Sequence, residues 1–131
     1  MKYPELSDTD FSYALLRHFL LPELLGSEKS EILYWAGKAI ARQYPANSID
    51  AMVDFFQKAR WGDLRIAKEK SRSLFLELRL SQTVKHIDDT SCFHLEAGYL
   101  AEQIETLKGK AAETCIFQNK NIISFQVQWD R

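Results

Sequence analysis

Two rows of apolar residues spaced by four, Phe11–Leu15–Phe19 and Leu16–Leu20, run side by side after Ser7, Asp8, Thr9 and Asp10, any of which can cap a helix N-terminus. The pattern predicts a first helix that Pro22 stops or kinks before Gly26. Its apolar stripe is wider than one core contact needs, so part of it is expected to face another helix or another subunit. Ser27 to Tyr44 reads as a second helix with Ile32, Leu33, Ala36, Ile40 and Tyr44 on one face. Gly37 is out of place in its middle. A mid-helix glycine costs about 1 kcal/mol relative to alanine, and the usual compensation is a close backbone contact.

Pro45 ends that helix, and Asn47 or Ser48 caps a third one carrying Ile49, Met52, Val53 and Phe56, closed by Trp61-Gly62. From Asp63 the period switches to two. Leu64 and Ile66 form one strand, and Leu74, Leu76, Leu78 and Leu80 alternate with Phe75, Glu77 and Arg79 in the next, with the polar loop Lys68 to Arg72 between them. After a polar segment from Ser81 to Asp89, a fourth helix starting near Ser91 places Phe93, Ala97, Leu100, Ala101 and Ile104 on one face. It contains a second interior glycine, Gly98, and ends at Gly109. A last hairpin pairs Ala112 to Gln118 with Ile122 to Trp129 around Asn119-Lys120-Asn121. Ile123, Phe125, Val127 and Trp129 alternate with Ser124, Gln126 and Gln128, as in a sheet with one buried and one wet face. The expected fold is α+β: three helices, a β-hairpin, a helix and a β-hairpin, forming an antiparallel four-stranded sheet with helices packed on one face. With no repeat and no linker-like stretch, residues 1–131 read as a single domain.

Composition agrees with that size. A chain of 131 residues, 46% hydrophobic and 27% charged, can bury one sizeable core. Seventeen Lys and Arg against eighteen Asp and Glu leave a net charge of −1, so no global field attracts a polyanion and no nucleic-acid partner is expected. The longest apolar stretch, Ala14 to Leu25, is broken by Arg17, His18, Pro22 and Glu23, which argues against membrane insertion and a signal-peptide core. A cytoplasmic location follows as the expectation. Cys92 and Cys115 are too few for a disulfide framework and read as free thiols.

Catalytic chemistry is hard to find. No nucleophile elbow, phosphate-binding glycine loop or zinc-protease motif occurs, and no catalytic residue is assigned. A metal cluster of His86, Cys92 and His94 can be drawn, but residues two apart at a helix start rarely converge on one ion, so neither a metal nor a cofactor is expected. Cys92 near a helix N-terminus could carry a lowered pKa, although a half-buried structural thiol is the simpler reading. A haem site using His18 has no second residue in its support. Among the aromatic residues, Trp35, Phe56, Trp61 and Phe75 are candidates to line an apolar pocket between helices and sheet; the alternative is plain core.

Three segments carry a family resemblance. Phe55 to Ile66, FFQKARWGDLRI, and His94 to Phe117, HLEAGYLAEQIETLKGKAAETCIF, resemble the signatures of the four-vinyl reductase domain and of the Bet-type subunits of TRAPP tethering complexes. Leu33 to Pro45, LYWAGKAIARQYP, is similar to the YslB-like family of small uncharacterised bacterial proteins, over nearly the whole chain. The resemblance implies the helix and strand order derived above. It departs from the tethering subunits in having no cysteine between Arg42 and Asp50, where those carry an acylated one, and from many four-vinyl reductase domains in lacking paired cysteines in the last hairpin.

The resemblance to tethering subunits and ligand-sensing domains implies a non-enzymatic domain that binds a partner protein or a small apolar ligand. The alternative is an enzyme or a cofactor or ligand sensor of small-molecule metabolism, which would need a convergent polar pocket. A homodimer is expected through the first helix and its neighbour, with Phe11, Leu15, Leu16, Phe19 and Leu20 as interface candidates, extended by Leu21 and Leu24.

Overall fold

A computed structural model describes residues 8–79, 93–119 and 122–130. An N-terminal helical segment consists of α1 (Asp8–Ala14), a π-helical turn (Leu15–Leu20) and α2 (Leu21–Leu25), followed by a 3₁₀ turn (Gly26–Glu28). Then come α3 (Lys29–Gln43), α4 (Ile49–Lys58), the strands β1 (Asp63–Lys70) and β2 (Ser73–Arg79), α5 (His94–Lys108), and the strands β3 (Ala112–Asn119) and β4 (Ile122–Trp129). The strands pair antiparallel in the order β1-β2-β4-β3. The fold is α+β, with helices packed on one face of an open four-stranded sheet.

The alternation in β2 and β4 sets the register. Leu74, Leu76 and Leu78 lie opposite Val127, Phe125 and Ile123, and all six are buried toward the helices. One residue out of step, Phe75, Glu77 and Arg79 lie opposite Gln126, Ser124 and Ile122 on the open face. The first hairpin turn is tighter than the polar loop Lys68 to Arg72 suggests: β1 continues to Lys70, and a register shift between Ile66 and Lys68 absorbs one extra residue. Such a bulge and the charges of Lys68, Glu69 and Lys70 blunt an edge strand against pairing with other chains. The opposite edge, β3, is capped from the helices. The backbone N–H of Thr114 donates to the Tyr34 hydroxyl at 3.2 Å and that of Ala112 to Glu105 Oε1 at 3.0 Å.

Helix α5 is the middle layer, buried on nearly all sides from Leu95 to Ala101. It rests on the sheet and is crossed by α3, and the crossing explains both interior glycines. A Cβ on Gly37 would collide with the carbonyl oxygen of Leu95 and lie 2.7 Å from the Tyr99 nitrogen. One on Gly98 would collide with the Tyr34 carbonyl oxygen and lie 2.8 Å from its carbon. The inner line of α3 accordingly runs through Leu33, Gly37 and Ala41, while Ile32 and Tyr44, expected inside, are exposed. Beyond Gln43 the helix end is held by buried Gln103. Its Nε2 donates to the Tyr44 carbonyl at 2.9 Å and its Oε1 accepts from the Ala46 N–H at 3.1 Å.

The Ser48 side chain caps α4, accepting from the Ala51 N–H at 3.1 Å. At the other end of α4 Trp61 N–H returns to the Phe56 carbonyl at 2.8 Å and Arg60 N–H to Gln57 at 3.1 Å, with Arg60 in the left-handed region at φ 61°. This is a Schellman closure with arginine where glycine is usual. Gly109 closes α5 in the left-handed conformation, at the position its sequence suggests. The expected helix start near Ser91 lies outside the described residues, as do Leu80, His86, Cys92 and the Lys120-Asn121 part of the last turn. Among the described residues no helix is long and apolar enough to cross a membrane.

Candidate functional site

The N-terminal segment contradicts the simplest reading of its own pattern. Pro22 does not stop it; the helix runs on to Leu25 with proline within the first two positions of α2. A proline inside a helix removes one hydrogen bond and crowds the carbonyl four residues back. The turn immediately before it is widened instead, with the Leu21 N–H bonding to the Leu16 carbonyl five residues earlier. The widening changes which side chains face inward. In an ordinary α-helix residues four apart drift by about 40° per step, so Tyr13, Arg17, Leu21 and Leu25 would spread over about 120°. A π-turn in their midst takes up that drift, and these four residues form the inner line: Tyr13, Leu21 and Leu25 pack on the core cluster, and Arg17 is 4% exposed.

The segment therefore buries its arginine and shows its leucines. Leu16, Phe19 and Leu24 are 55%, 61% and 70% exposed, and Leu15 and Leu20 are also exposed. Phe11 is half-buried. Of the five dimer-interface candidates, four thus stand in water in the single chain.

Beneath this face lies a polar contact that sequence reading missed. Arg17 Nη2 is ion-paired with Glu96 Oε1 on α5, both side chains almost wholly buried, and Arg17 Nη1 donates to the Tyr13 hydroxyl at 3.0 Å. Burial pushes the Glu96 carboxyl above its ordinary range, against the opposing pull of Arg17. His18, edge-on to Tyr13 at 5.9 Å between ring centroids, is pushed down to about 4, first by burial and then by the Arg17 charge. Nothing in the sequence marks Arg17 and Glu96 as partners, since they stand 79 positions apart and charged residues are by default outside.

The four candidate pocket residues are not brought together. Phe56 and Trp61 meet edge-to-face at 4.9 Å, with Tyr99 at 5.7 and 5.4 Å from them; Phe55 stacks on Tyr99 at 4.7 Å. These rings pack on one another. Burial raises the pKa of the Tyr99 hydroxyl. Trp35 instead stands 69% exposed on α3, and Phe75 lies on the open sheet face with the Lys70 ammonium 5.5 Å from its ring centroid. Trp35 does line a different feature, an open pocket of about 240 Å³ formed with Ser30, Glu31, Tyr34 and His94. Cys115 is exposed on β3, and His86 and Cys92 lie outside the described residues. Among the described residues, no group of three or more His, Cys, Asp or Glu could hold a metal ion.

The fold has a solved counterpart. A vinyl-4-reductase family protein from Methanocaldococcus jannaschii superposes with a TM-score of 0.60 at 16% identity, over 99% of this chain and 85% of that one. The Fe(II) unliganded H-NOX protein from K. algicida gives a TM-score of 0.41 at 15% identity, over 97% of this chain and 65% of that one. In sequence, the uncharacterized protein YslB of Bacillus subtilis (strain 168) is 35% identical over 131 residues, covering 96% of this chain and 88% of its own length. Residues 10–128 match the model of the protein family of unknown function DUF2507, and the chain belongs to that family.

Proposed function

We propose that this protein is a non-enzymatic cytosolic interaction domain that docks a partner protein through the outward face of its N-terminal segment, and that the first such partner is a second copy of the chain. The observation that carries the reading is the inverted amphipathicity of that segment. Fully burying a leucine or phenylalanine is worth about 1.5–3 kcal/mol. A helix turned the other way would bury Leu16 and Phe19 and leave Arg17 in water. The fold forgoes that gain, as a protein does when an apolar face is reserved for another surface. The exposed positions Leu15, Leu16, Phe19 and Leu20 carry no charge, which suits a self-complementary, isologous contact. Exposed Glu23, Glu28 and Glu31 follow shortly after and disfavour an anionic lipid surface.

Light scattering at tens of micromolar tests the reading. The unmodified protein is expected at twice the chain mass, and Leu16→Glu at the chain mass with the far-ultraviolet circular dichroism of the parent. A monomeric mass for the unmodified protein would refute it. A second reading, a small-molecule binder, is favoured by one feature, the open aromatic pocket of Ser30, Glu31, Tyr34, Trp35 and His94. Saturable quenching of tryptophan fluorescence by small aromatic compounds, abolished in Trp35→Ala, would support it over protein docking.

A further inference from the structure

We infer that the buried Arg17–Glu96 pair is a register lock: it fixes the rotation of the N-terminal segment so that the leucine face points outward, and its loss turns that face inward and closes the docking surface. The inference rests on the proposed function for its consequence, and on the geometry alone for its mechanism. The segment is apolar on both sides. Tyr13, Leu21 and Leu25 line the inner side, while Leu15, Leu16, Phe19, Leu20 and Leu24 line the outer. Hydrophobic burial alone would turn the outer set inward, because it is the larger. The choice is made by the one charged side chain on the inner line. Arg17 finds in Glu96 a buried counter-charge, and the Tyr13 hydroxyl accepts from its other terminal nitrogen. Breaking such a pair by removing one partner leaves an uncompensated charge in a low-dielectric site.

The π-turn fits the role. It sits across Leu15–Leu20, centred on Arg17, and aligns that residue with the inner line. One widened turn beside a proline is also where a helix can reset its register most cheaply, because the hydrogen-bond ladder there is already interrupted. Among the described residues the rest of the segment's inner packing is apolar, Tyr13, Leu21 and Leu25 against the core cluster, and carries no charge that fixes the rotation. Segment and lock thus make a two-state element, with an open face when the ion pair is formed and a closed one when it is not.

Glu96→Gln removes the charge at nearly constant shape, and the double variant Arg17→Glu with Glu96→Arg restores a pair with the signs exchanged. Two readouts separate the lock from the docking that it controls. Hydroxyl-radical modification of Tyr13 and Leu21 reports the inner line, whose half-buried side chains lie away from the docking face in monomer and dimer alike; light scattering reports the docking. In Glu96→Gln both residues are expected to lose their protection and the dimer its mass, while Phe125 and Ile104 in the core stay protected. The charge-swapped variant should regain protection and mass together. Protection of Tyr13 and Leu21 unchanged in Glu96→Gln would overturn the lock. If that variant unfolds throughout, the swapped variant decides: a folded swapped protein with Tyr13 and Leu21 exposed would equally overturn it. A monomeric parent whose inner line is nonetheless released by Glu96→Gln would refute the docking and leave the lock standing.

Discussion

Replacing Gly37 with alanine adds one methyl group at a close crossing of two helix backbones, α3 over α5. On propensity alone the change should help, since alanine is favoured over glycine by about 1 kcal/mol in a helix interior. The crossing reverses the sign. The new Cβ would meet main-chain atoms of α5, the Leu95 carbonyl and the Tyr99 nitrogen, which cannot swing aside as a side chain can. The helices must separate, loosening the inner line of α3, Leu33 and Ala41, in the core. Overpacking of a core typically costs about 1–3 kcal/mol. A clash with main-chain atoms belongs at the upper end of that range, so against the propensity gain a net loss of about 2 kcal/mol is expected for Gly37→Ala, and about 2 kcal/mol or more for Gly37→Leu. The same holds for Gly98, whose Cβ would meet Tyr34 from the other side. The informative measurement is the double variant Gly37→Ala/Gly98→Ala in urea denaturation. Once one methyl group has pushed the helices apart the second finds part of its room made, so the two costs should sum to less than their separate values. Raised or unchanged stability in both single variants would refute the account of the crossing, and strict additivity would show that the two glycines act at separate places.

Arg17→Met alone should cost about 3–5 kcal/mol in chemical denaturation, because it strands buried Glu96, whereas Arg17→Met with Glu96→Leu should be near neutral; equal losses in both would contradict burial of the pair. His18 is held neutral in the fold down to about pH 4 but titrates near 6.5 when unfolded, so the unfolded chain binds the extra proton between those values and stability falls as the pH is lowered through them. Because the ring is partly exposed, the loss should be no more than about 1–2 kcal/mol. It should appear as the difference between parent and His18→Gln melts at pH 7 and pH 4.5, and parallel pH profiles would count against it. Arg60→Gly places glycine at the left-handed position that closes α4 and should raise stability by about 0.5–1 kcal/mol in thermal unfolding, with no change if Arg60 is unstrained.

The sheet was legible because a period of two fixes both faces at once. Ile123, Phe125 and Val127 could point only one way together, and Ser124 and Gln126 only the other. Ser48 and Gly109 announced helix ends for local reasons, and Gly37 and Gly98 announced a close contact because nothing else justifies glycine in a helix interior. The first helix was not legible to the same degree. Its apolar residues occur on both sides, so spacing alone offers two buried faces, and the deciding groups are a charge expected outside and a carboxylate far away in the chain. Proline at position 22 reads as a stop or a kink, and the structure has a widened turn before it that lets the helix run on to Leu25. The four aromatic candidates are separated for a related reason: Phe56 and Trp61 belong to one cluster, but the register of β2 turns Phe75 to the open face, and the glycine crossing turns Trp35 to solvent.

In the proposed dimer the leucine face of the N-terminal segment is covered in solution, although the single chain leaves it bare. Hydroxyl-radical modification of Leu16, Phe19 and Leu24, followed from nanomolar to tens of micromolar protein, measures this directly. The account predicts that these three residues react as exposed side chains when dilute and become protected together as the concentration rises, with Lys58 and Arg72, on other parts of the surface, reporting no change. Equal reactivity of Leu16, Phe19 and Leu24 across the whole range would contradict it.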